Sequence, residues 1–278
     1  MKTRTLFTLT AGAILFASCG NNPDSPKASI LGGTKSTPLP TVAIAAVSPS
    51  PDFPGASLSV SSVKAEAAGK DSAKVTFNFA VKNYELKMQT SDNGNKMCNN
   101  SDKGQHIHFI LDNTPYKALY EPTNDVTLAN NTEHYLMAFL SRSYHESIKT
   151  KGAAIMYHFK IDEKGNLKKL EDPTTPMIIY SRPKGDYIGK DTANVLLDFY
   201  IWNGTLDSNY SVQADISNED KPSQQLMVTF TKWEPHFIQN LGTGKCKVKL
   251  TLLDKEGKQA DGHLTSATRE FNLKAQAN

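Results

Sequence analysis

GKDSAKVTFNF (69–79) returns almost unchanged as GKDTANVLLDF (189–199), and this pair decides how the chain divides. The offset from Gly69 to Gly189 is 120 residues. Working outward, ALYEP (118–122) matches TKWEP (231–235) at an offset of 113, from Glu121 to Glu234. DVTLANNTEHYLMAFL (125–140) then matches FIQNLGTGKCKVKLTLL (237–253), with Leu128 over Leu241 and Leu140 over Leu253. The shrinking offset places an insertion early in the first copy, where TSDNGNKMCNNSDKG (90–104) stands. Blocks recurring in one order mark an internal repeat. Each copy is on the order of 100 residues, the size of one domain.

Both copies read as β. VTFNFAV, HIHFILD, HYLMAFL and AIMYHFKI alternate apolar and polar residues between clusters of Asn, Gly, Asp and Pro, as half-buried strands do. VLLDFYIW, YSVQADI, LMVTFTKW, CKVKLTLL and REFNLK repeat the pattern. No window carries a capped helical stripe. Regularly spaced strands in domains of this size predict an all-β fold of two tandem immunoglobulin-like antiparallel sandwiches. The expected boundaries are a signal segment at 1–18, a tether at 19–55, a first domain at 56–170 and a second at 171–278.

The second copy serves as an internal control for the first. Val248, Leu250 and Leu252 are apolar while Lys247, Lys249 and Thr251 are polar, so the former face a core. Carried back by 113, this predicts that Tyr135, Met137 and Phe139 face the first core. His134, Leu136, Ala138 and Leu140 would then lie on the outer face, where their apolar character calls for a cover: the second domain, a partner protein or an apolar ligand. In GQHIHFILDN (104–113), Ile107, Phe109 and Leu111 are the better core residues, so His106 and His108 point outward together. His158 points outward too. The approximate counterparts of these histidines are Ser211, Gln213, Lys247 and Glu270, so the second copy lacks the cluster.

Two imidazoles at i and i+2 of a strand can ligate one ion, and a third from a neighbouring strand leaves a position open. His106, His108, His134 and His145 are therefore candidate ligands for copper or zinc, which imidazole suits, and sulfur from Met97 or Cys98 would shift the preference toward copper. Histidines that only hydrogen-bond at an interdomain or partner surface are the alternative. The Gly-x-His-x-His stretch is similar to strands of small periplasmic bacterial β-domains. SRSYHES (141–147) stands where the second copy has a plain turn, DKEGKQA. Arg142, Ser143, Tyr144 and His145 make it a candidate loop for a protein, glycan or small anionic ligand. Tyr120 and Trp233 occupy one position in both copies, which points to packing.

The N-terminus carries an address. MKTR is basic, LFTLTAGAILF is apolar but too short to span a bilayer, and FASC follows. FASC resembles the lipobox of bacterial lipoproteins, which implies acylation of Cys19, a membrane partner through that lipid, and a place in the cell envelope, most naturally the outer membrane. Without Lys2 and Arg4 the formal charge falls from +3 to +1, which argues against nucleic acid as a partner. Residues 20–55, rich in Ser, Pro and Ala, read as a flexible tether, although VAIAAV (42–47) is strand-like. Cys98 and Cys246 are either free or bridged between domains. Ser72 and Thr192, in Asp-Ser-Ala and Asp-Thr-Ala, resemble the O-glycosylation acceptors of Bacteroidota envelope proteins, and a strand-starting turn is the other reading.

No nucleophile elbow, His-Glu-x-x-His, phosphate loop or dinucleotide fingerprint is present. A non-catalytic binding or interaction protein using the outer face of the first domain is the leading expectation. A copper- or zinc-binding protein is the second.

Overall fold

Residues 40–276 are described by the computed structural model. Strand β1 (Ala43–Ala46) comes first, and the first copy follows as β2 (Ser57–Ala67), β3 (Ser72–Lys82), β4 (His106–Leu111), β5 (Lys117–Leu119), β6 (Thr123–Ala129), β7 (Thr132–Ser141), β8 (Ala154–Ile161) and β9 (Leu167–Lys169). Its two sheets are ordered β2-β3-β6 and β5-β4-β7-β8-β9. The second copy supplies β10 (Met177–Arg182), β11 (Gly185–Ile188), β12 (Val195–Trp202), β13 (Ser211–Asn218), β14 (Gln225–Phe230), β15 (His236–Gln239), β16 (Gly244–Leu253) and β17 (Ser266–Lys274). These pair as β1-β15-β12-β10 and β11-β17-β16-β13-β14. Strand for strand, β10-β12-β15 repeats β2-β3-β6, and β14-β13-β16-β17 repeats β5-β4-β7-β8. Both copies are immunoglobulin-like sandwiches. The connection between β3 and β4 spans 83–105 where that between β12 and β13 spans only 203–210, so the insertion lies where the shrinking offset put it.

Alternation places each core. Val75, Phe77, Ile107, Phe109, Leu136, Ala138, Leu140 and Phe159 fill the first sandwich. Val195, Leu197, Val212, Ala214, Val248, Leu250, Leu252 and Phe271 fill the second. Each large apolar side chain so enclosed contributes roughly 1.5–3 kcal/mol.

Strand β7 faces the opposite way from the expectation. Leu136, Ala138 and Leu140 point into the first core, while Met137 and Phe139 point out of it. The backbone shows why. Leu140 N–H donates to Ala153 O and Leu252 N–H to Thr265 O, while Leu140 O accepts from Ile148 and Leu252 O from Ala260. Leu140 therefore matches Leu252, and the offset along β7 and β16 is 112, not 113. In a pleated strand a slip of one residue exchanges the two faces.

The outward face of the first sandwich is covered by the second. Ile110, Tyr116, Met137, Phe139 and Met156 form a third apolar cluster with Met177, Ile179 and Tyr200. Phe139 stacks on Tyr200 with ring centroids 5.2 Å apart. Four sheets thus lie face to face, and the middle two share this seam. The sister residues of Ile110, Met137 and Met156 are Asp215, Lys249 and Thr268, polar because that face meets water.

The tether reading fails for residues 40–55. Val42 is buried in the second core, and β1 pairs with β15. Beyond it, Lys96 Nζ donates to Ser48 O (2.6 Å) and Pro49 O (3.0 Å), and Arg142 donates to Pro51 O (2.6 Å). A Pro- and Ser-rich composition says how little a segment buries by itself, but not which buried cations need its carbonyls. Residues 1–39, including the signal-like segment and Cys19, lie outside the described residues.

Candidate metal centre

β4 presents Ile107 and Phe109 to the core, so His106 and His108 turn to the seam, where both are fully buried. His106 Nδ1 lies 2.8 Å from Gly104 O. A carbonyl only accepts, so the proton sits on Nδ1 and the Nε2 lone pair is free. That Nε2 is 3.0 Å from His108 Nε2 and 3.0 Å from His145 Nδ1. All three nitrogens lie within 4.8 Å of one another. Metal–nitrogen bonds of about 2.0–2.1 Å at tetrahedral to trigonal angles place ligand nitrogens roughly 3.3–3.6 Å apart. To hold an ion, the two pairs at 3.0 Å would part by a few tenths of an ångström, and the His108–His145 pair, bounded by 4.8 Å, would adjust toward the same spacing. On the far side of His108, Nδ1 meets Ser181 Oγ at 3.1 Å. Two of the three rings thus have a partner fixing the nitrogen that faces away, as metal-bound histidines do.

His145 reaches the group through an unusual backbone. In 142–146, Arg142 N–H donates to Glu146 O and His145 N–H to Arg142 O; in 254–258, Asp254 and Gly257 make the equivalent bonds. His145 therefore stands where the sister turn has Gly257, with φ of +70° against +75°. Glycine takes this left-handed conformation freely, whereas a side chain there costs about 1–2 kcal/mol. The backbone so held aims a buried imidazole at the other two.

The rings are held neutral. Burial lowers the pKa of His106 to about 4, with Arg182 and Lys184 adding to the effect. Burial pushes His108 and His145 well below the ordinary range, helped by neighbouring imidazoles and the same two cations. Neutral imidazole is the form that binds metals.

Around the trio stands a cationic and aromatic shell that the sequence did not disclose. Tyr116 lies flat on His108, with centroids 3.6 Å apart and planes 8° apart, and its hydroxyl is 3.1 Å from His145 Nδ1. Lys184 Nζ is 4.0 Å above the Tyr116 ring, and burial lowers the Lys184 pKa to about 8. Ser181 and Arg182 come from the end of β10, where the register with β12 breaks between Tyr180 and Arg182 and re-aims the side chains. Arg182 is buried, donates to Tyr187 OH (2.9 Å), and lies 5.4 Å and 5.7 Å from the Tyr116 and Tyr187 ring centroids. Its Nε has no partner. Cation–π contacts are worth about 0.5–2 kcal/mol each, less than the several kcal/mol that burying a charge costs. The sequence signal was slight: an arginine ending an otherwise apolar strand, MIIYSR.

The other candidates fall elsewhere. His134 is not part of the trio; it sits toward the far end of β7, bonded to Asp112 Oδ2 (2.7 Å) and Thr132 Oγ1 (2.7 Å). The corrected register explains this, since His134 shares a face with Leu136 and its ring lies against Phe159. His158 stacks on Tyr135 (4.3 Å) and meets Glu133 (2.7 Å). The loop SRSYHES does not face solvent: Arg142, Ser143 and Tyr144 are buried. Arg142 bridges Glu146 (3.0 Å), while Ser143 exchanges bonds with Thr90. Of that loop only His145 joins the trio.

Cys98 and Cys246 are free thiols, each pushed up to about 12 by burial, and Cys98 is outside the trio. The hydroxyls of Ser72 and Thr192 close local turns onto Ala68 O and Gly189 O. Trp233 donates to Phe199 O (2.8 Å) and packs, as its shared position with Tyr120 suggested.

No family model matches the chain, and no curated protein does. Among solved structures, the fibronectin(III)-like modules of Clostridium thermocellum CbhA align with 10% identity and a TM-score of 0.25, covering 78% of this chain and 94% of theirs. The two tandem V-type regions of VCBP3, a v-region-containing chitin binding protein, align with 7% identity and a TM-score of 0.23, covering 79% and 99%.

Proposed function

We propose that this protein is a metal-binding module that holds one copper or zinc ion on His106, His108 and His145. One observation carries the reading: three buried, neutral imidazole nitrogens converge, two of them at 3.0 Å from His106 Nε2. The backbone strain at His145 and the carbonyl and hydroxyl behind the other two rings support it. A trio enclosed between two sheets suits custody and transfer of an ion better than turnover of a substrate. The lipobox-like FASC would place that custody at the surface of an envelope membrane.

A second reading draws on the same distances. His106 Nε2 can accept from His108 Nε2–H while the Ser181 hydroxyl donates to His108 Nδ1 and the Tyr116 hydroxyl to His145 Nδ1, hydrogen bonds that would fasten the two sandwiches together. Calorimetric titration of the purified full chain with Zn²⁺, and with Cu⁺ under reducing conditions, separates the two. One-to-one binding at micromolar affinity or tighter, lost in His106→Ala, His108→Ala and His145→Ala, is the expected result. Heat traces identical for the parent and all three variants would leave the histidines as fasteners.

A further inference from the structure

A divalent ion on this trio would meet two positive charges already there. Lys184 Nζ and the Arg182 guanidinium lie 4.0 Å and 5.4 Å from the centroid of the Tyr116 ring, which itself stacks on His108 at 3.6 Å. Among the described residues no carboxylate pairs with Arg182; its side-chain partners are the hydroxyl of Tyr187 and, at 3.5 Å, the amide oxygen of Asn99. Of the acidic side chains nearby, Glu146 pairs with Arg142 at 3.0 Å, Asp198 pairs with Lys149 at 2.7 Å, and Asp191 is held by Asn99 Nδ2 at 2.9 Å without pairing with Arg182. The three ligands are neutral, so coordination by itself cancels none of the added charge. Like charges held at short range in a poorly hydrated interior repel strongly.

Resting on the metal reading above, we propose that the site takes its metal only together with a small anion from the medium, which fills the open coordination position and lies against Arg182. The anion is small and hard, a halide or bicarbonate in size, because the trio is enclosed. A guanidinium with an unpartnered Nε has a donor to give it. Asn99, which contacts Arg182, also lines a cleft of about 730 Å³ together with Cys98, Asp102, Lys190, Asp191 and Asn194, so an anion would have to pass Asn99 to reach the guanidinium. The long Asn99–Arg182 contact is the weakest one on that guanidinium, so an incoming anion can displace it at little loss. The arrangement would make metal loading depend on two solutes, so that withdrawal of the anion loosens the metal.

The test is a zinc titration of the purified full chain at constant ionic strength in sodium perchlorate, in chloride and in bicarbonate, with a chromophoric chelator as competitor. Zinc should bind at least about tenfold tighter in chloride or bicarbonate than in perchlorate, a difference of about 1.4 kcal/mol. Arg182→Gln should lose that dependence and Arg182→Lys should keep part of it. Equal affinity in all three salts overturns the proposal and leaves the metal site standing, as does a dependence unchanged in Arg182→Gln. No zinc binding in any salt overturns the metal reading and this proposal together. If Arg182→Gln does not fold, as judged by circular dichroism, the salt series on the parent protein decides the matter.

Discussion

Acidifying the metal-free protein should weaken it through His106. Its folded pKa is about 4 against an ordinary 6.5, because burial disfavours the charged ring. Between those values the unfolded chain binds a proton that the folded chain refuses, so stability rises with pH across the window and is lost as pH falls through it. Each unit is worth about 1.4 kcal/mol. From pH 7.5 to pH 5 the loss from His106 comes to about 2 kcal/mol, a large share of a total stability of about 5–15 kcal/mol. His108 and His145, also lowered by burial, push the same way. Glu146 acts with the opposite sign: burial raises its pKa, so protonation in acid relieves a strain on the fold. His106→Gln removes the titrating ring and leaves Glu146 in place, so the difference between the two proteins isolates the histidine. Urea unfolding followed by tryptophan fluorescence at pH 7.5 and 5.0 reads it. The parent should lose about 2 kcal/mol more than the variant on acidification; a difference below about 0.5 kcal/mol would refute the burial of a neutral His106.

Three further outcomes follow from particular contacts. His145→Gly gives the turn the residue its sister turn uses, with φ of +75° at Gly257, so folding should survive while zinc affinity in the calorimeter drops about 100-fold or more; unchanged affinity would remove His145 from the site. Phe139→Ala opens the seam beneath Tyr200 and should cost about 3–5 kcal/mol in urea unfolding, whereas Lys249→Ala, on the exposed sister face, should stay within about 0.5 kcal/mol; equal effects would mean the seam is not packed. Arg142→Ala strands the buried Glu146 carboxylate and frees Pro51 O, and should lower stability by about 3–5 kcal/mol while increasing hydrogen exchange across 48–53; unaltered exchange there would show that Arg142 does not hold the strap.

Much of the design is local and therefore legible. GKDSAKVTFNF and its echo reveal the duplication because two copies of one sandwich need the same alternation and the same turns. His106 and His108 share a face, opposite Ile107 and Phe109, because the pleat of a strand leaves no other arrangement. Strand β7 was not legible in the same way. The matched Glu-Pro pairs carry an offset of 113 and the strands beyond them 112, and a period of two turns that single residue into a reversed face. That one-residue slip is what separates Tyr135, Met137 and Phe139 from the core and His134 from the other histidines.

Polar sequence also conceals burial that depends on distant segments. SRSYHES has the composition of a wet loop, yet the strap at 48–53 covers it and the second sandwich closes over His145. Arg182 lies 37 residues beyond His145 and in the other domain, so nothing in its neighbourhood tied it to the imidazoles. By itself, then, the sequence determined the β architecture, the repeat and the face of His106 and His108, all set by the short-range geometry of the peptide chain. Which third histidine joins them, which cations surround them and what covers the face were decided only by tertiary packing, because burial and electrostatics depend on distance in space, which neither the order of residues nor their spacing records.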